Sequence, residues 1–597
     1  MRGFTWRIGG PQGAGVDSAA QVLARGFALS GRFVALRREY HSNIMGRHSY
    51  ADVRVAERAV PGFFERVELL AATEGETLAR HLGEVRPGGV LLYNADETDK
   101  KTGELVFLDP PARARVEGRF GGEVRLGRLV EAYAEEGVRV VPVPAREVLK
   151  AAGADSKSLS LLFAAVSARL LGLELPHFLE ALARVFSGKE RVVAAGRRLA
   201  ELAYERFEPA FTPPPGGERG ERAFMNGSHA AALGRVAAGL GFMSYYPITP
   251  ATDEPFFLEA HPEAEVTVVQ VEDELSAVNM AIGAAFAGVP AALTTSGPGF
   301  SLMAEALSFA GLAEVPLVVA LYQRAGPSTG LPTRHEQGDL LFSLFAGHGE
   351  FPRVVLASGS LEEVYRDAAL ALELAWRFQL PVIHLLDKHL AQSFKTLPLP
   401  LPKVPEARPK AGEPAPAFPR YRLSEDGVSP FLPVGERGGY YWVTSDEHDE
   451  HGHITEDPEL RVRMMDKRLS KEKAVREYLK DGLAYEVFRP EAPAVVVGWG
   501  SVKEAALAAL EEVPELGYLH LRLLSPFPEL GEVLADKRVA VLEQNATGQL
   551  ARLLPGRPET LILKYNGRPM TIEEVTEAFS AFARGEAGPR VVLKKGV

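Results

Sequence analysis

The sequence predicts an α/β protein of three domains, and three observations carry that expectation. A strand, a glycine-rich loop and an apolar-periodic helix open the chain in the order of a parallel-sheet unit. Short runs of Val, Leu and Ile alternate with longer helical patterns through the middle of the chain and again near its end. Two proline-rich stretches separate these regions, and stacked prolines continue neither a helix nor a sheet ladder. At 597 residues the chain is also too long for one hydrophobic core, since domains average about 150 residues.

The first domain is expected over residues 1–189. Phe4-Thr5-Trp6-Arg7-Ile8 reads as a strand, Gly9-Gly10-Pro11-Gln12-Gly13-Ala14-Gly15 as the loop, residues 16–30 as the helix and residues 32–36 as the next parallel strand. Residues 89–93 and 138–143 suit the same sheet, and residues 158–186 read as helices broken at Pro176. Residues 190–224, a charged helix followed by Thr212-Pro213-Pro214-Pro215-Gly216-Gly217, read as a linker. The second α/β domain spans 225–395, with apolar strands at 316–321 and 380–385. Residues 396–490 read as a proline-rich linker and polar segment, and the last α/β unit, 491–597, opens with Ala494-Val495-Val496-Val497-Gly498-Trp499-Gly500.

Composition removes several functions. Lys+Arg 67 against Asp+Glu 78 leaves a net charge of −11, which disfavours binding to a nucleic-acid backbone. With Cys 0, this chain by itself holds no iron–sulfur cluster, disulfide or thiol nucleophile. The opening residues lack the pattern of a secretory signal, so a cytoplasmic location is expected. Residues 275–304 carry no formal charge, but Gly288, Pro290 and the turn string Thr294-Thr295-Ser296-Gly297-Pro298-Gly299 cut them too short for a membrane span. A buried helix and strand are expected there instead.

Five strings carry possible chemistry, each with a plainer alternative. In Tyr245-Tyr246-Pro247-Ile248-Thr249-Pro250, two prolines stiffen a turn at a strand end, where ligands of open α/β sheets bind. Alternatively, Thr249 caps a helix that begins at Pro250. In Glu272-Asp273-Glu274, acids suit a first helical turn, whereas a carboxyl at the buried edge of the small-residue helix that follows can donate a proton to a ring nitrogen. In residues 323–339, the planar fork of Arg334 suits a carboxylate substrate or a surface ion pair. The opening glycine loop suits a phosphate, with Glu39 beyond the second strand as a ribose-binding acid, or else a tight turn. Asp446-Glu447-His448-Asp449-Glu450-His451-Gly452-His453 holds possible metal ligands or a solvated charged loop.

Together, and at these distances, the strings resemble the α subunit of 2-oxoacid:ferredoxin oxidoreductases, thiamine-diphosphate enzymes, in the form with a γ-type domain fused in front. The residues that carry the resemblance are Tyr246-Pro247-Ile248-Thr249-Pro250, the Glu272-Asp273-Glu274 helix, Thr295-Ser296-Gly297-Pro298-Gly299-Phe300-Ser301-Leu302-Met303, the string from Gly326 to Arg334 with Glu336-Gln337-Gly338-Asp339, and Gly347-His348-Gly349-Glu350-Phe351-Pro352-Arg353. Downstream they are Thr444-Ser445-Asp446, Trp499-Gly500-Ser501, Pro526-Phe527-Pro528 and Glu543-Gln544-Asn545 with Gly548-Gln549-Leu550.

The resemblance implies a γ-type domain, a thiamine-pyrimidine-binding domain and a transketolase C-terminal-like domain. It implies oxidative decarboxylation of a 2-oxoacid with coenzyme A, giving acyl-CoA, CO2 and reduced ferredoxin. Glu274, with Glu272 in reserve, is then the glutamate that meets the aminopyrimidine ring. Pro247, Ile248, Gly297, Pro298 and Gly299 flank the cofactor, and Thr249 and Arg334 hold the substrate carboxylate. The Gly-Asp-Gly string of a pyrophosphate and Mg2+ site is absent, as is cysteine. The pyrophosphate anchor and the iron–sulfur cluster therefore fall to a β subunit, and no metal site is expected on this chain. The first domain is expected near the coenzyme A route and the last to pack and orient. Two alternatives are a subunit of a lipoamide-linked 2-oxoacid dehydrogenase and a non-catalytic coenzyme-A- or nucleotide-binding subunit.

Overall fold

The computed structural model describes residues 3–40, 46–59, 62–217, 220–480 and 482–596. These residues build three sheets divided between two compact units, in place of the three separate bodies expected. The first unit takes the described residues of Met1–Met225, Ser393–Leu401 and Lys595–Val597, and the second those of Asn226–Gln392 and Pro402–Lys594.

In the first unit, the helix Val16–Leu29 buries Ala19, Ala20, Val22, Leu23 and Phe27, the spacing of one helical face. It covers an eight-stranded sheet whose strands begin, from edge to edge, at Arg139, Val85, Val67, Gly3, His48, Phe33, Phe394 and Arg222. The expectation of a parallel pair at the start needs correction. His48–Ala56 lies between Gly3–Pro11 and Phe33–Glu39 and runs antiparallel to both. Its charges conceal it in the sequence, yet the strand is buried along its whole length. Arg7 reaches Asp52 at 2.6 Å and Arg37 reaches it at 2.8 Å. Burial alone would raise the Asp52 carboxyl, and the two guanidiniums outweigh it and hold the carboxyl below its usual range.

Two further boundaries differ. The helical break falls at Gly172, which takes φ +74, while Pro176 sits in the first turn of Leu175–Val185, where its missing N–H costs nothing. Residues 190–206 are not a linker. They form the helix Glu190–Arg206, which turns Gly196, Leu199, Ala200 and Ala203 inward, and a Cβ at Gly196 would lie 2.8 Å from Leu161.

The second unit holds a seven-stranded sheet, with strands beginning at Leu523, Val354, Pro381, Leu317, Ala291, Phe242 and Thr267. It also holds a six-stranded sheet, with strands beginning at Tyr485, Leu516, Ala494, Arg538, Thr560 and Arg590. The last region is not a body of its own. Its strand Leu523–Ser525 completes the edge of the seven-stranded sheet against Val354–Ala357, and Val497, Trp499 and Leu519 share one apolar core with Leu293 and Leu321.

Residues 402–457 have little regular structure but are not a free tether, because a buried charge cluster secures them. Glu314 accepts from Lys467 at 2.6 Å and Lys471 at 2.5 Å, both on the helix Pro458–Leu479, while Arg420 donates to its carbonyl at 2.8 Å. Burial would raise the Glu314 carboxyl, but the three cations outweigh it and hold it well below the usual range. Removing the carboxylate strands two buried ammonium groups. Glu314→Ala is expected to cost about 3–5 kcal/mol, read as a lowered midpoint in denaturant unfolding.

Candidate active site

Most strands of the seven-stranded sheet are parallel, so their carboxyl ends share one edge. From Phe242–Tyr245 the chain passes to Thr267–Gln270 on one side, then returns to Ala291–Thr295 on the other. The reversal leaves a crevice beyond the carboxyl ends of Phe242–Tyr245 and Ala291–Thr295, the general ligand position of open α/β sheets. The loops there are 246–252, 271–274 and 296–299, which carry Thr249, Glu274 and Gly297-Pro298-Gly299.

The three acids before the helix Glu274–Phe286 have different positions. Glu272 is exposed. Asp273 is the N-cap, accepting from the Ser276 N–H at 2.6 Å, and that hydrogen bond holds its carboxyl below the usual range. Glu274 opens the helix and is 8% exposed. Its side chain lies over Gly299, where a Cβ would come within 2.7 Å of Cγ and Oε1. Among the described residues no donor reaches its carboxylate. Gly299→Ala, whose Cβ would also meet Thr295 Oγ1, is therefore expected to displace the Glu274 side chain and to lower any activity that depends on its position by about 100-fold, measured as a rate.

Gly297 plays the matching part for Asp339, whose Oδ2 would be 2.9 Å from a Cβ there. Two carboxylates thus rest on the two glycines of one turn. Pro298 between them sits in the first turn of the short helix Gly297–Leu302. Burial raises the carboxyls of Glu336, to about 7, and of Asp339, to about 6. The Gly326 N–H opposes the shift at Glu336, and Arg324 opposes it at Asp339.

Thr249 is not a helix cap. The helix Asp253–Glu259 begins four residues later, Pro250 follows a cis peptide bond, and the Ile248 N–H donates to Thr252 Oγ1 at 3.0 Å. Pro247 is exposed and Ile248 and Thr249 are half-buried, so the turn presents these side chains at the crevice mouth. The Thr249 carbonyl accepts from Arg324 Nη1 at 2.8 Å.

Arg334 is 8% exposed and lies in the loop after Leu317–Gln323. Its carbonyl accepts from the Ala325 N–H at 3.2 Å, so Thr249 and Arg334 are joined through the Arg324–Ala325 pair. The six-stranded sheet holds this loop. The His335 N–H donates to the Gly567 carbonyl at 3.2 Å, and a Cβ at Gly567 would sit 3.0 Å from Arg334 Cβ. Gln337 exchanges hydrogen bonds with Gln544, at 2.7 and 3.2 Å, and Gln549 Nε2 donates to the Gly338 carbonyl at 2.7 Å.

Sequence reasoning missed Arg324, Asp339 and Gly567 as parts of the site. Asn566-Gly567 is a turn signal, but a turn signal says nothing about what packs on it.

The remaining strings are explained by packing. Glu39 ends a strand that is not adjacent to Gly3–Pro11, which removes the dinucleotide layout. Gly13 and Gly15 take φ +90 and +83, and Gly9 and Gly10 admit Thr77 and Thr73 at distances a Cβ would close. His448 is buried against Tyr421 with ring centroids 4.1 Å apart, and His451 Nδ1 pairs with the Ala417 carbonyl at 2.9 Å. Among the described residues no group of three metal-ligating side chains converges, and no helix is long and apolar enough to cross a membrane.

Comparison with known proteins shows the family of the chain. Residues 234–467 match the family model "Pyruvate flavodoxin/ferredoxin oxidoreductase, thiamine diP-bdg", and residues 5–206 match "Pyruvate ferredoxin/flavodoxin oxidoreductase". The 2-oxoacid:ferredoxin oxidoreductase subunit alpha of Saccharolobus solfataricus is 38% identical over 99% of this chain and 100% of that one. The chain belongs to the family of 2-oxoacid:ferredoxin oxidoreductase α subunits.

Subunit alpha of 2-oxoacid:ferredoxin oxidoreductase 2 from Aeropyrum pernix is 40% identical, over 99% of each chain. Among solved structures, the α subunit resembles the 2-oxoglutarate:ferredoxin oxidoreductase of Magnetococcus marinus, solved with 2-oxoglutarate, coenzyme A and succinyl-CoA bound. The TM-score is 0.86 at 27% identity, over 98% of this chain and 100% of that one. Family membership sets aside the lipoamide-linked alternative.

Proposed function

We propose that this α subunit works with a β subunit to convert a 2-oxoacid and coenzyme A into acyl-CoA and CO2, passing the electrons to ferredoxin. The observation that carries the reading is Glu274 itself, an 8%-exposed residue at the sheet's switch point whose side chain lies over Gly299 and whose carboxylate takes no hydrogen bond from the described residues. That arrangement fits the aminopyrimidine half of thiamine diphosphate. The glycine lets the Glu274 side chain lie against the turn, and the natural partner of a carboxyl without a donor is a ring nitrogen.

When bound, the cofactor supplies a carbon acid that adds to the 2-oxo group and accepts the electron pair released on decarboxylation. Glu274 holds a proton between its carboxyl oxygen and the ring nitrogen, while Pro247, Ile248, Gly297, Pro298 and Gly299 shape the wall beside the ring. Arg334 meets the substrate carboxylate with two parallel N–H donors, and the Thr249 hydroxyl adds a third. The six-stranded sheet keeps Arg334 in place through Gly567 and the Gln337–Gln544 pair. Packing among Gly9, Gly10, Thr73 and Thr77 accounts for the glycine loop of the first unit, whose proposed service to coenzyme A rests on family membership alone.

The pyrophosphate and Mg2+ site and the iron–sulfur cluster belong to the β subunit, since this chain has neither Gly-Asp-Gly nor cysteine. The chain is cytoplasmic in this reading. Co-purification with the β subunit, followed by coenzyme-A-dependent reduction of a one-electron dye with a panel of 2-oxoacids, tests the proposal. The pair is expected to turn over and the α subunit alone to be inactive. A competent α subunit alone, or a pair that needs lipoamide, would overturn it.

A further inference from the structure

The guanidinium of Arg324 directly follows the strand Leu317–Gln323 and is 9% exposed. Its Nη1 donates to the Thr249 carbonyl at 2.8 Å, and its Nε has no hydrogen-bond partner. Asp339 is the charge that faces it, and that carboxylate is seated against Gly297, one proline away from the glycine under Glu274. Neighbouring Gln323 fixes the far side of the same arrangement. Its Oε1 accepts the Asp339 N–H at 3.1 Å, and its Nε2 donates to the Leu386 carbonyl at 3.3 Å. Arg324 thus joins two loops at the crevice, the Thr249 turn and the segment that carries Arg334, with the Asp339 carboxylate as a nearby charge. A buried guanidinium is costly unless it is hydrogen-bonded, and the hydrogen bond this one makes goes to the turn that carries Thr249.

We propose that Arg324 is a positioning residue that sets the Thr249 hydroxyl against the carboxylate of the 2-oxoacid, with Asp339 as its nearby counter-charge. The proposal rests on the assignment of Thr249 to that carboxylate. Arg324 itself acts through a backbone carbonyl and touches no substrate. Burial lowers the basicity of the guanidinium, and Asp339 opposes the change. Lysine is a poor substitute, because a compact, flexible ammonium does not reproduce the planar guanidinium that places Nη1 against the Thr249 carbonyl.

The test uses the reconstituted complex and five variants, Arg324→Met, Arg324→Lys, Asp339→Asn, Thr249→Ala and the Thr249→Ala/Arg324→Met double. Arg324→Met is expected to raise KM for the 2-oxoacid by about 10–100-fold, with kcat changed less than about threefold and KM for coenzyme A unchanged. Arg324→Lys should recover little of this, and Asp339→Asn should shift the same constant by about 3–10-fold. The double variant should be no worse than the more impaired single, because both changes remove one interaction. If Arg324→Met fails to assemble, the lysine and asparagine variants carry the test by the same split between KM and kcat.

An unchanged KM in Arg324→Met, or additive losses in the double variant, overturns the positioning role. If instead Thr249→Ala leaves KM unchanged, the carboxylate assignment of Thr249 fails, and this proposal fails with it.

Discussion

Glu274→Gln in the assembled enzyme is expected to lower kcat by about 10²–10⁴-fold, the range for losing a positioned acid–base group. The KM values for the 2-oxoacid and coenzyme A should change little. Glutamine keeps the volume and so still fits over Gly299, but it has no proton of comparable acidity to share with a ring nitrogen. Glu274→Ala should be at least as severe, and it separates shape from chemistry, because alanine leaves the turn untouched. The contrasting control is Glu272→Gln, which alters an exposed neighbour two residues away and is expected to be silent. Steady-state kinetics with saturating thiamine diphosphate distinguishes the two. Equal losses at both positions would mean that the acids act as a diffuse field and not through one buried group.

The second large effect is expected at Arg334. Two charge-assisted hydrogen bonds to a carboxylate are worth about 1.5–3 kcal/mol each, so Arg334→Ala should lower kcat/KM by about 10²–10⁴-fold, mainly through KM. Arg334→Lys should remain impaired, since an ammonium offers no matching fork. A 2-oxoacid ester, which lacks the anionic carboxylate, should be a poor substrate for the parent enzyme and should lose little further activity in Arg334→Ala. Unchanged kinetic constants in Arg334→Ala would remove the residue from the substrate site.

Much of the second unit was legible because its signals are local. A glycine-and-proline turn after an apolar strand, and acids before a small-residue helix, state their secondary structure directly. Deciding among Glu272, Asp273 and Glu274 was harder, because all three favour a helix start equally well. The decision lies in which side chain falls over Gly299, a residue distant in sequence.

The same limit explains the other differences. His48–Ala56 was missed because Asp52 and Arg54 break an apolar pattern, and the partners that make their burial tolerable, Arg7 and Arg37 for Asp52 and the Gly62 carbonyl for Arg54, come from elsewhere in the chain. Leu523–Ser525 is too short to announce that it crosses into another sheet. The segment before Pro458–Leu479 reads as a linker until Glu314, over 140 residues earlier, supplies the counter-charge for Lys467 and Lys471. Arg324 is an ordinary arginine in sequence and becomes distinctive only through the Thr249 carbonyl and Asp339.

The rate at which the acidic carbon-bound hydrogen of thiamine diphosphate exchanges with deuterium, in the complex of this α subunit with its β subunit, reports on Glu274 before any substrate binds. Glu274→Gln is predicted to slow that exchange by about 10²-fold or more while the cofactor stays bound in full. Exchange at the parent rate, with the cofactor bound, would contradict the assignment of the proton-sharing carboxyl to Glu274.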